Sequence, residues 1–215
     1  MFSIIVNTYL AEYRPVNKQQ YLNERCIREY GSKHRWLGVI DTDEFIVLLN
    51  NSAQNLTEFL QRYEAYGGLR IGWIVYGSSG HIKRPPGGVL GNYGRCSGTE
   101  STASIPKEVP RAYKAFVQPQ FSKFENDIHD FREKESHPRV DEYFKKVDHE
   151  HIYTYDKIAI YHFQVKSRED FERKIKRGSG NSVSRDMDYW RFVESFANNY
   201  TCPILQMPNQ SINSI

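Results

Sequence analysis

Residues 36 to 49 read Trp-Leu-Gly-Val-Ile-Asp-Thr-Asp-Glu-Phe-Ile-Val-Leu-Leu, an apolar run interrupted by three carboxylates at Asp41, Asp43 and Glu44. An apolar run of this kind predicts a strand over residues 36–41 that is buried on both faces, as in a parallel sheet, with the acidic residues where it ends. Ligands collect at such strand ends. Asp41 and Asp43 are two residues apart, so at a strand-to-loop bend their carboxylates can converge on one cation. The plainer alternative is a pair of solvated turn carboxylates. The hydrophobic flanks weigh against it, because acids in an apolar interior need a counter-charge or a metal.

Working outward, strands and helices alternate. Phe2–Val6 reads as a strand that begins almost at the first residue. Residues 18–30 place Leu22, Cys26 and Tyr30 at steps of four with Ile27 beside them, an apolar helical face ending at Gly31. Downstream of the acidic run, Asn55 is placed to cap a helix with Glu58 answering from the third position; Leu56, Phe59, Leu60 and Tyr63 form its apolar side, and Gly67-Gly68 ends it. Residues 69–76 return as a second core strand. Residues 112–117 form a short strand closed by Pro119, and residues 157–163 a further clear one. Ser167 caps the next helix, with Phe171 and Ile175 inward and Gly178 as its stop, and a last helix over 185–197 buries Met187, Trp190 and Val193. This order predicts a single α/β domain over residues 1–215, with residues 36–41, 69–76 and 157–163 neighbouring in one mixed sheet and helices on both faces. The segment 132–150 is charged and poorly periodic, and reads as a surface excursion.

Composition narrows the class. The chain has 215 residues, 39% hydrophobic and 14% aromatic, which suits one folded domain. A formal net charge of +3 gives no pull toward nucleic acid. Cys26, Cys96 and Cys202 are odd in number and lack CxxC spacing, so they suggest neither a zinc site nor a disulfide framework. No run approaches a membrane span, and residues 1–10 lack a signal-peptide basic region. Asn-x-Ser/Thr sequons at Asn50, Asn55, Asn199 and Asn209 agree with a secretory-pathway protein.

Four blocks in order carry a resemblance: Trp36…Ile40-Asp-Thr-Asp-Glu-Phe45; Trp73-x-x-Tyr-Gly-Ser-Ser-Gly-His81-x-x-Arg84-Pro85; Lys114-x-x-x-x-Pro119; and Tyr161-His162-x-x-x-Lys166-Ser167-x-x-Asp170-Phe171-x-x-Lys174-x-x-Arg177-Gly178. From about Val6 to Phe196 the chain resembles glycosyltransferase family 92, which contains β-galactosyltransferases. The resemblance implies a GT-A-like (Rossmann-like) mixed sheet, a divalent cation (Mn²⁺ or Mg²⁺), a nucleotide-sugar donor such as UDP-galactose, a glycan acceptor and an inverting transfer. It also implies that the first βαβ portion of the domain is missing, and with it an upstream anchor that would hold the full-length protein at a Golgi or other secretory membrane.

Site residues follow from that mechanism. Asp41 and Asp43 would hold the cation, with His162 or His129 as a third ligand, since imidazole tolerates Mn²⁺. Lys166 and Lys174 would reach the diphosphate near a helix N-terminus. The loop Gly77-Ser78-Ser79-Gly80 would bring backbone N–H groups to the donor, and Trp73 and His81 would line the sugar or acceptor pocket. The general base would be Asp127, Glu125 or Asp130, while Glu44 would fix the acidic loop. Two rivals stand beside this reading. A phosphatase of the haloacid-dehalogenase type also opens on Asp-x-Asp, but Glu44-Phe45 and the later blocks fit it poorly. An inactive truncated remnant, or a carbohydrate-binding or pairing module, is the other.

Overall fold

A computed structural model of the chain describes residues 18–109, 112–123, 132–133, 136–148, 150–178 and 185–203. The expected strand Phe2–Val6 lies outside them. In chain order the elements are α1 (Lys18–Tyr30), β1 (Leu37–Gly38), β2 (Glu44–Leu48), α2 (Leu56–Gln61), β3 (Gly68–Val75), α3 (Val89–Asn92), β4 (Arg95–Cys96), β5 (Tyr113–Val117), β6 (Ser122–Lys123), β7 (Arg132–Glu133), β8 (Arg139–Val140), β9 (Ile158–His162), α4 (Arg168–Arg177), α5 (Met187–Ala197) and β10 (Tyr200–Thr201).

The main sheet runs β1-β5-β3-β9-β2. Its centre is β3, buried along its whole length, with β5 antiparallel on one side. The other side is shared by two parallel strands: β8 pairs with Gly68 and Leu69, and β9 with Trp73, Ile74 and Val75. Residues paired across neighbouring strands share a face. Ile71, Trp73, Val75 and Ile160 therefore point one way, where α2, α4 and α5 cover them with Phe59, Leu60, Phe171, Val193 and Phe196. On the opposite face Ile27 of α1 packs on Ala115 and Val117, and Ile74 and Tyr161 join an aromatic cluster with Tyr76 and Phe163. The result is a mixed α/β sheet with helices on both sides.

The helices stop and start where their caps say. The Asn55 side chain accepts from the Glu58 N–H, and Glu58 accepts in turn from Gln54 N–H, one residue before the cap. Ser167 caps α4 by accepting from Asp170 N–H, and Gly178 ends that helix with a φ of +81° that suits glycine. In α1 Ile27 and Asn23 are buried, with Cys26 partly buried beside Ile27.

Several expectations are corrected. Within residues 36–41 only Leu37 and Gly38 pair, and they form an edge strand antiparallel to β5 rather than a neighbour of β3. A Cβ at Gly38 would meet the Phe116 ring at 2.5 to 2.9 Å, so the chain there lies flat on that ring before it leaves the sheet. The longer strand, β2, follows the acidic residues, at the opposite edge and antiparallel to β9. Residues 39–43 thus carry the chain from one edge of the sheet to the other. Helix α2 ends at Gln61, and Gly68 belongs to β3, where a Cβ would press on the Phe116 carbonyl at 3.0 Å. The segment 132–150 is more than a surface excursion: Val140 sits in the core beside Leu69, and buried Glu142 accepts from the Asp156, Lys157 and Ile158 N–H groups.

The cysteine reading is corrected as well. Cys96 and Cys202 form a disulfide, their Cα atoms 5.9 Å apart across 106 residues, which fastens the chain after β10 to β4 beside the pairing Tyr200↔Cys96. Residue spacing could not show this, because the partners meet only after α5 has packed on the sheet. A cross-link closing so long a loop restricts the unfolded chain strongly. Replacing both cysteines with alanine is expected to lower unfolding stability by about 2–5 kcal/mol, read from denaturant titration, with the same loss in wild-type protein under reducing conditions.

Candidate active site

The acidic loop lies at the C-terminal ends of β3 and β9. Pairing of Glu44 with His162 sets its height, and Phe163 N–H donates to the Asp43 carbonyl at 2.8 Å. A closed turn shapes it: Glu44 N–H donates to the Asp41 carbonyl, and Asp41 N–H donates back to the Glu44 carboxylate, both at 3.0 Å.

Around this loop three basic side chains converge from distant elements. Lys114 of β5 places Nζ 2.8 Å from Asp41 Oδ2 and 3.4 Å from Glu44 Oε2. Lys174 of α4 places its Nζ 3.0 Å from Asp43 Oδ2 and donates to the Gln164 carbonyl at 2.9 Å. His162 Nε2 stands 3.8 Å from Asp43 Oδ1 and 3.9 Å from Glu44 Oε1, its ring against Trp73 at 4.4 Å between centroids. Burial graduates across the cluster. The Glu44 side chain is fully enclosed and Asp43 is 16% exposed, while Asp41 is 44% exposed toward solvent.

These environments set the protonation states. Burial pushes Glu44 up to about 7, against the pull of Lys114, with Asp41 adding to the rise. Burial also drives His162 down to about 3, so its imidazole is neutral and can act as an acceptor or ligand. For Asp43 burial would raise the carboxyl, but His162, then Lys174 with its hydrogen bond, and Lys166 outweigh this and hold it below its ordinary value. Lys174 is lowered by its own burial, against the attraction of Asp43.

Asp41, Asp43, His162 and Lys174 are therefore brought together, although Asp43 and Lys174 are 131 residues apart. Lys166, with a left-handed φ of +55°, lies close enough to act on Asp43 and Asp170. Trp73 is buried in the core against His162 rather than open to a pocket. His81 turns away, with Nε2 3.0 Å from the Asn92 carbonyl and its ring edge-on to Tyr93. Glu125, Asp127, His129 and Asp130 lie outside the described residues. Among the described residues, no group of three or more His, Cys, Asp or Glu side chains is arranged to hold a metal ion.

The loop Gly77-Ser78-Ser79-Gly80 is not a phosphate cradle in this conformation, because its backbone donors are already used. Gly77 N–H donates to the Arg95 and Ala197 carbonyls, Ser78 N–H to Glu194, Ser79 N–H to Asn198 Oδ1, and Gly80 N–H to the Ser78 hydroxyl. It is a brace that ties β3 to the end of α5. Sequence reading quoted Lys114 within a block but gave it no role, and it missed Gln164, which no spacing signal marks; Gln164 is buried, accepts from the Tyr189 hydroxyl and seats Lys174.

An α/β sheet that gathers an Asp-x-Asp loop, a neutral imidazole and a partly exposed lysine at the ends of its parallel strands has the equipment of an enzyme handling a charged ligand. Residues 16–197 match the family model of glycosyltransferase family 92, and the chain belongs to that family. No curated protein matches it. As a member it is a glycosyltransferase, an enzyme class that takes a sugar from a nucleotide-sugar donor to a glycan acceptor. No helix among the described residues is long and apolar enough to cross a membrane.

The brace carries a prediction. A Cβ at Gly77 would meet the Asn198 side-chain atoms at 2.4 to 2.5 Å, and Asn198 is held by Ser79. Gly77→Ala should therefore destabilise by about 1–3 kcal/mol, seen as a lower thermal midpoint.

Proposed function

We propose that the chain is an inverting, cation-dependent glycosyltransferase that moves galactose from UDP-galactose to a glycan acceptor. The observation that carries this is the approach of His162, at the end of β9, to Asp43, in the turn before β2, at 3.8 Å in a family 92 member. By type the donors suit a divalent cation, the Asp41 and Asp43 carboxylates and an imidazole kept neutral by burial, and to hold one they would have to draw together and release Lys114 and Lys174. Asp41, Asp43 and His162 would hold Mn²⁺ or Mg²⁺, which when bound offsets charge on the departing diphosphate.

The cluster's own charges argue for the order of events. Three carboxylates face two ammonium groups, so the net charge is at most one negative, and a bare cation gains little there. A cation arriving with the nucleotide diphosphate brings further oxygen ligands with it. Lys174, 26% exposed, can exchange Asp43 for a diphosphate oxygen, with Lys166 nearby as a second positive charge. Glu44 is too enclosed to meet an acceptor hydroxyl and acts by shaping the loop, so the base is assigned to Asp127, Glu125 or Asp130 from the sequence. The Cys96–Cys202 disulfide supports a secretory compartment such as the Golgi lumen.

Calorimetry with UDP, with and without Mn²⁺, and turnover of UDP-galactose test the reading. Binding should require the cation, and chelation should abolish transfer until Mn²⁺ is restored. Asp43→Asn should fold normally and lose at least about a hundredfold in turnover. Undiminished turnover in that variant overturns the mechanism.

A further inference from the structure

Lys114 is the wrong residue for its position by composition. It occupies the middle of β5 opposite Ile71, on the face that α2, α4 and α5 cover, and its side chain is only 1% exposed. A lysine so placed is unfavourable unless its ammonium is paired and hydrogen-bonded. Both of its ionic partners, Asp41 and Glu44, belong to the acidic loop. They are also the two residues whose reciprocal backbone and side-chain hydrogen bonds close the loop's turn.

The two lysines of the cluster are differently built. Lys174 reaches from a helix with part of its side chain in solvent, so it can leave Asp43 for a ligand. Lys114 stands on a central strand, enclosed, and reaches neither solvent nor a substrate. Its charge is a permanent part of the scaffold. We infer that Lys114 is a positioning residue: it holds the 41–44 turn closed in the donor-free protein, so that the backbone carrying Asp41 and Asp43 is ordered before any nucleotide sugar arrives. Preorganisation of this kind strengthens binding by removing the ordering cost from the binding step. The inference deepens the donor-site reading above and rests on it for its functional meaning, though not for its structural one.

Hydrogen exchange of the Asp41 and Glu44 amides, the two that the turn protects, tests it in protein stripped of metal with a chelator. Lys114→Met keeps the length and removes the charge, but leaves Glu44 enclosed and unpaired. The double variant Lys114→Met/Glu44→Gln removes both charges and keeps an acceptor for the Asp41 amide. In the double variant these two amides should exchange at least about tenfold faster than in wild type, while amides of β3 and β9 keep their protection. The dissociation constant for UDP with Mn²⁺ should rise about tenfold, and Lys114→Arg, which can bridge two carboxylates, should recover part of both effects. Wild-type exchange at Asp41 and Glu44 in a double variant whose sheet stays protected overturns the inference. If wild-type protein binds no UDP at all, the donor reading fails, and the exchange measurement still decides the role of Lys114.

Discussion

Three carboxylates on one short loop must be kept from sinking uncompensated into an apolar sheet face, and the arrangement of the surrounding chain follows from that. Removing a carboxylate from water costs several kcal/mol unless charge and hydrogen bonds replace the water. Here the replacements come from β5, β9 and α4, with one cationic or imidazole group from each. The loop is consequently a meeting point that fixes the height of β9 against β2 and the approach of α4. Exposure rises from Glu44 through Asp43 to Asp41, so Glu44 belongs to the scaffold while Asp43 and then Asp41 lie progressively nearer solvent.

Local signals in the sequence were legible where chemistry is local. The Asn55 and Ser167 caps, the stop at Gly178 and the buried runs of β3 and β9 depend on residues a few positions apart, and the structure has them at or within a residue or two of the places that spacing indicates. Misreading began at residues 36–49, because an apolar run buried on both faces and two edge strands joined by a crossing look alike in one dimension. What distinguishes them is Gly38 lying on the Phe116 ring and Lys114 waiting beneath the crossing, and both partners are on β5, more than seventy residues downstream.

The site shows the same division. Asp41, Asp43, His162 and Lys174 could be named because each carries chemistry in its side chain and belongs to a recognisable block. Lys114 opens such a block too but could be given no role, and Gln164 could not be named at all, since a lysine in a strand and a glutamine after one are ordinary until their surroundings are known. Conversely, Gly77–Gly80 reads as a ligand loop by composition, yet its small residues serve close packing: Asn198 occupies the space a side chain at 77 would need. Glycine marks a close approach of backbone to something, and here that something is the protein itself.

The distances along the chain between the acidic loop and its partners also bear on how the molecule is made. Asp41 waits for a residue 73 positions later and Asp43 for one 131 positions later, while β2 can enter the sheet only against β9. A chain emerging from the ribosome therefore holds its three acids in water, without their counter-charges, through most of its synthesis. Pairings so remote are slow to form because loop closure precedes any gain from contact. The acidic end of the sheet is thus late to become native, and nascent chains that stop short of β9 should be recognisable by an acidic loop that stays in solvent.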